Sequence, residues 1–109
     1  RRRADRVIYA GLGRAPREGE APTIVVEFVS AGKRSLIRDY QEKRDEYLGI
    51  GVREYWVVDR FQRRITVYLS EPNGREPRVL REDDIYTTGL LPGFELPVGK
   101  LLERADRWD

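Results

Sequence analysis

Apolar and polar positions along the chain mark out its elements in order. Residues 7–10 (VIYA) form a short apolar run that predicts a strand. Residues 11–22 (GLGRAPREGEAP) follow no period, and their glycines and prolines mark a connecting loop. Residues 23–29 (TIVVEFV) are rich in β-branched side chains and apolar on both faces, as in a central strand covered on both sides, and Glu27 interrupts them. Residues 30–33 turn the chain and Ser35 is placed to cap a helix. Leu36, Ile37, Tyr40, Tyr47 and Leu48 make one stripe of that amphipathic helix, which Gly49 and Gly51 end. Residues 54–59 (EYWVVD) and 64–69 (RITVYL) read as strands joined by a charged loop. Pro72-Asn73-Gly74 then turns the chain into a weaker strand at 78–80, so that the three make an antiparallel meander. Leu90, Leu91 and Phe94 are expected to pack ahead of a short helix over about 97–104 that starts with proline.

Composition narrows the chemistry. The 109 residues suit one domain, taken here as 1–109, and hold no histidine and no cysteine. Imidazole catalysis, thiolate nucleophiles, disulfides and zinc-finger ligation are thereby excluded. What is left is carboxylates, lysine, arginine, hydroxyls and a hard metal ion held through oxygen. No apolar run approaches the roughly 18 residues of a membrane span, and no signal-like segment opens the chain, so the expected location is cytoplasmic, with no membrane partner. The balance of 21 basic to 19 acidic residues, net +2, permits a nucleic-acid partner without demonstrating one. Methionine is absent and Arg1-Arg2-Arg3 stands directly before the first strand, which points to a missing front end.

Two charges stand where the pattern calls for apolar residues. Glu27 lies between Val25, Val26, Phe28 and Val29, where an ionised carboxylate is costly unless a cation or several donors meet it. On the helix the inward stripe runs through Tyr40, position 43 and Tyr47, which places Lys43 among the core-facing residues. Consecutive elements usually pack together, so Glu27 and Lys43 can approach one cleft. Asp5 offers a second carboxylate if the strand at 7–10 pairs with the one holding Glu27. Each residue also has a plainer reading. Lys43 can pair with Asp39 on the helix surface, Glu27 can be a structural ion-pair partner, and Asp5, like Asp59, can serve a turn. Glu42, Asp45 and Glu46 fall on the outer helix face, while Tyr55 and Trp56 read as core.

Four stretches carry a family likeness: ADRVIYA, APTIVVEFVS, RDYQEKRDEYLGIGVREYWVVD and LLPGFELP. In them the chain resembles the Uma2 family of restriction endonucleases, a branch of the PD-(D/E)XK nuclease superfamily. The third stretch is the most specific, joining a helical lysine, a tyrosine four residues on, a glycine turn and the EYWVVD strand. The resemblance implies that Asp5 is the first acidic residue, Glu27 the second and Lys43 the lysine. The superfamily's usual lysine lies two residues after the second acid, where this chain has Val29, and the resemblance moves that role to the helix. It also implies Mg²⁺ or Mn²⁺ held by Asp5, Glu27 and the backbone carbonyl of Phe28, with DNA as the partner. Three features depart from the family pattern: Thr23 stands where relatives often have Asp, Ser30-Ala31 stands in place of Ser-Pro, and the N-terminal region is missing.

The expected fold is therefore α+β, a restriction-endonuclease-like core in N-terminally truncated form, with a mixed sheet of about five strands and one main helix on the Glu27 face. The expected activity is metal-dependent hydrolysis of DNA phosphodiesters. The alternative is a catalytically silent remnant or protein-interaction module of the same fold. A first strand short of cover predicts a homo-oligomer.

Overall fold

The computed structural model describes residues 5–30, 37–70 and 76–107, the side chains of 37–39 excepted. Lys33, the Ser35 cap, Leu36, the Asp39 side chain and the Pro72-Asn73-Gly74 turn lie outside the described residues. Five strands, β1 (Arg6–Ile8), β2 (Ile24–Phe28), β3 (Glu54–Asp59), β4 (Arg64–Leu69) and β5 (Arg78–Arg81), form one sheet in the order β1-β2-β3-β4-β5. β2 and β3 run parallel, and every other neighbouring pair is antiparallel. A parallel pair needs a crossover, and helix α1 (Ile37–Gly49) supplies it. The expected α+β core with a mixed five-stranded sheet is what the chain forms.

The apolar run in β2 is explained by cover on both faces. Ile24 and Val26 pack with Trp56, Val58, Ile65 and Val67 beneath a second helix, α2 (Val98–Asp106). Val25 and Val29 pack with Tyr55, Val57, Val52 and the α1 residues Tyr40 and Tyr47 on the other side. The stripe counted on α1 is the observed one: Tyr40, Lys43 and Tyr47 are buried, while Glu42, Asp45 and Glu46 are exposed. Gly51 ends the helix at φ 108°, a left-handed conformation that a side chain rarely adopts. The amides of residues 50 to 52 meanwhile bond back to the carbonyls of Tyr47 and Leu48.

Boundaries shift where side chains intervene. The first strand stops at Ile8 because the Ala10 amide donates to Thr23 Oγ1 at 2.9 Å, which takes residues 9 and 10 out of the ladder. A ribbon of two residues per strand, β6 (Ile85–Tyr86) with β7 (Leu96–Pro97), precedes α2 and left no readable alternation in the sequence. Leu90 and Leu91 pack on the core as expected, but Phe94 is 48% exposed and lines a groove instead. That groove, about 690 Å³, lies on the α2 face between β1 and residues 90–96. No helix among the described residues is long and apolar enough to cross a membrane.

Candidate active site

β2 delivers Glu27 to the α1 face by simple alternation: Val25 and Val29 point there, so Glu27 does too. It is only 4% exposed. α1 reaches it twice from adjacent turns. Lys43 Nζ donates to Glu27 Oε1 at 3.3 Å, and the Tyr47 hydroxyl donates to Oε2 at 3.4 Å. The lysine is itself buried, with its ammonium 5.4 Å from the centre of the Tyr40 ring, a favourable placement over an aromatic face. The Lys43 side chain is turned inward to Glu27, and the Asp39 side chain of the surface-pair reading lies outside the described residues.

Asp5 completes the group from the neighbouring strand. β1 and β2 pair with Arg6 opposite Val26, and continuing that register by one residue sets Asp5 across from Glu27. Opposed residues of an antiparallel pair present their side chains to the same face. Asp5 is exposed and accepts the Phe28 amide on Oδ2 at 2.7 Å, so the Phe28 contact seen here runs through its N–H. The site thus has an exposed carboxylate at its mouth and a buried carboxylate and ammonium at its floor.

Electrostatics at the floor are unsettled. Burial pushes the Glu27 carboxyl above the ordinary range, and the nearby Asp5 charge pushes the same way. Lys43 and Tyr47 pull it down without cancelling the effect of burial. A divalent cation held by Asp5 and Glu27 would offset both their repulsion and the cost of burying the Glu27 charge. The donor set fits such an ion: carboxylate and carbonyl oxygens are hard ligands, and Mg²⁺ is usually held by one or two carboxylates with water and phosphate filling its remaining positions. Among the described residues there is no cluster of three or more metal-binding side chains.

The comparisons with known proteins bear on the family and the fold. Residues 1–99 match the model of the Uma2 family, whose description is "Putative restriction endonuclease". The chain belongs to the Uma2 family. Its fold is similar to that of a protein from Anabaena variabilis ATCC 29413, described as a putative nuclease belonging to DUF820. The TM-score is 0.64 at 17% identity, over 78% of this chain. This chain spans 46% of that protein's length. A search of the curated proteins finds no match.

Two features of this Uma2 site escaped the sequence reading. The tyrosine at position 47 counted as packing, yet its hydroxyl touches Glu27. The available signal was its place one helical turn beyond Lys43 on the same stripe. Tyr55 is core, as the alternation predicts, and it is fully buried. Among the described residues its hydroxyl has no hydrogen-bond partner, and burial beside Glu27 holds that group far above the usual phenol range. Asp59 serves a turn as expected, accepting the amides of Phe61 and Gln62 on Oδ1.

Proposed function

We propose that the chain is the catalytic core of a divalent-metal-dependent endonuclease that hydrolyses DNA phosphodiester bonds. The observation that carries the reading is the meeting of Lys43 from α1 with a buried Glu27, across from Asp5, at one edge-proximal point of the sheet. In this reading Asp5, Glu27 and the Phe28 carbonyl hold Mg²⁺ or Mn²⁺. When bound, the ion polarises the scissile phosphate and makes its water more acidic. Lys43 orients the attacking water and offsets the charge that develops on the phosphate oxygens. Lysine suits this task better than arginine, because burial can bring only a lysine toward titration. Tyr40, Tyr47 and Val57 belong to the buried apolar cluster on this face of the sheet.

The experiment is nicking of supercoiled plasmid with Mg²⁺, with Mn²⁺ and with chelator, alongside calorimetric titration of both metals. Metal-dependent nicking supports the reading. A chain that binds neither ion under conditions where it is folded sinks it. The alternative, a silent interaction module of the same fold, is favoured by the groove beside β1, whose lining is mainly apolar. The expected self-association belongs to both readings: β1 is an edge strand with Val7 47% exposed, and a second copy can pair with it edge to edge. Sedimentation that returns a monomer at tens of micromolar, on the order of concentrations far above tight dissociation constants, would remove that expectation.

A further inference from the structure

Helix α1 touches Glu27 at both oxygens, and the two contacts differ in kind. Lys43 brings a charge on a flexible four-carbon stem to Oε1. Tyr47 brings a neutral hydroxyl to Oε2 on a rigid ring. That ring is held in place by a neighbour: the Tyr47 and Tyr55 centroids are 5.4 Å apart and tilted by 42°, and Tyr55 in turn stacks on Tyr68 at 5.9 Å. A glutamate has three side-chain torsions, so a carboxylate that must meet a metal ion is only as well aimed as the groups that fix it.

We propose that Tyr47 is the positioning residue for Glu27, its hydroxyl fixing Oε2 so that Oε1 is the oxygen presented to a divalent cation. The inference rests on the metal-binding reading above. A cation held at Oε1 would repel the Lys43 ammonium that now donates there, which would leave Lys43 to water and phosphate. The neutral Tyr47 hydroxyl meets no such repulsion and keeps its hold on Oε2. The contact that persists through metal binding is therefore the tyrosine's. Tyr55 supplies an internal control, since it is a hydroxyl in the same aromatic cluster that makes no hydrogen bond among the described residues.

The test compares Mn²⁺ affinity, by titration followed with electron paramagnetic resonance, in the unaltered chain, Tyr47→Phe, Tyr55→Phe, Glu27→Gln and the pair Tyr47→Phe with Glu27→Gln. Tyr47→Phe keeps the ring, so melting temperature should stay close to that of the unaltered chain. Its Mn²⁺ affinity should fall by about 10-fold or more, the usual consequence of removing a group that orients a metal ligand. Tyr55→Phe should leave affinity unchanged. In the Glu27→Gln background the Tyr47→Phe change should have no further effect, because the hydroxyl acts through that carboxylate. An unaltered chain that takes up no Mn²⁺ overturns the metal reading and this assignment with it. Uptake by the unaltered chain with equal affinity in Tyr47→Phe overturns the assignment alone. So does an equal loss in both tyrosine variants, which would point to ring packing.

Discussion

Two glutamates are buried in this sheet to the same 4% exposure, one on each face, and their surroundings have little in common. Glu54, on the α2 face at the start of β3, accepts three short hydrogen bonds from neutral donors. These come from Trp56 Nε1 at 2.8 Å, the Tyr86 hydroxyl at 2.9 Å and Thr88 Oγ1 at 2.5 Å. Glu27, on the α1 face, has longer contacts at 3.3 and 3.4 Å, a cation on one side and the charge of Asp5 nearby. Donors arranged around Glu54 tie the segment of Tyr86 and Thr88 to the sheet, and both carboxylate oxygens are engaged within the fold. Glu27 is held at greater distance, and its charge is unfavourable where it stands. A buried carboxylate with short bonds to neutral donors is a joint, whereas one flanked by opposing charges and raised toward protonation is a candidate for chemistry.

Catalysis should separate the two faces most sharply. Lys43→Ala should lower plasmid nicking by about 10³-fold, in line with the loss of a preorganised group that stabilises transition-state charge, while Mn²⁺ affinity changes little. Glu27→Ala should lose both metal and activity, and Lys33→Ala should do little. Activity that survives Lys43→Ala and falls in Asp39→Ala would return Lys43 to a surface-pairing role.

Thermal stability in the absence of metal should reverse the ranking. Glu54→Gln removes the charge that strengthens all three bonds and turns one acceptor oxygen into an amide facing the Thr88 hydroxyl, at a cost of about 1–3 kcal/mol. At roughly 4–8 °C per kcal/mol for a domain near this size, melting should fall by several degrees or more. Glu27→Gln should leave melting unchanged or raise it, because it removes a charge whose burial outweighs the attraction of Lys43. A large drop in Glu27→Gln would make Glu27 a joint like Glu54 and would erase the distinction.

The sequence showed one of these glutamates and hid the other for physical reasons. Glu27 stood out because the residues on either side of it are apolar and a charge in a doubly covered strand is anomalous. Lys43 stood out because the helical period is regular enough to count inward positions. Glu54 follows Arg53 at a strand end, where polar residues are ordinary, and its donors arrive from residues 86 and 88 through a ribbon too short to leave a pattern. The Tyr47 hydroxyl was hidden in the same way, since a tyrosine in an apolar stripe reads alike whether or not its oxygen is used. The two-sided cover of β2, the inward stripe of α1 and the meander of β3, β4 and β5 were legible because each follows from alternation and the placing of helix and turn signals. The end of β1 was not, because it depends on one side-chain bond from Thr23.

The smallest effect should be the most diagnostic, and it lies in the pH dependence of folding. The Glu27 carboxyl titrates above its unfolded value near 4.5, with burial as the main cause. The native state therefore holds this proton more tightly than the unfolded chain does. Its contribution to stability is fully present below the unfolded value and is lost as pH rises through the folded one. Metal-free stability of the unaltered chain, relative to Glu27→Gln, should decline across that window and level off above it. Excess Mn²⁺ should turn the slope around, because a bound ion requires the ionised carboxylate and adds more stability as protons leave. The measurement is a set of denaturant midpoints from pH 4 upward for both proteins, with and without the metal. Parallel curves for the two proteins without metal would mean that Glu27 sits in the fold as comfortably as Glu54, and the contrast between the two faces would fail at its source.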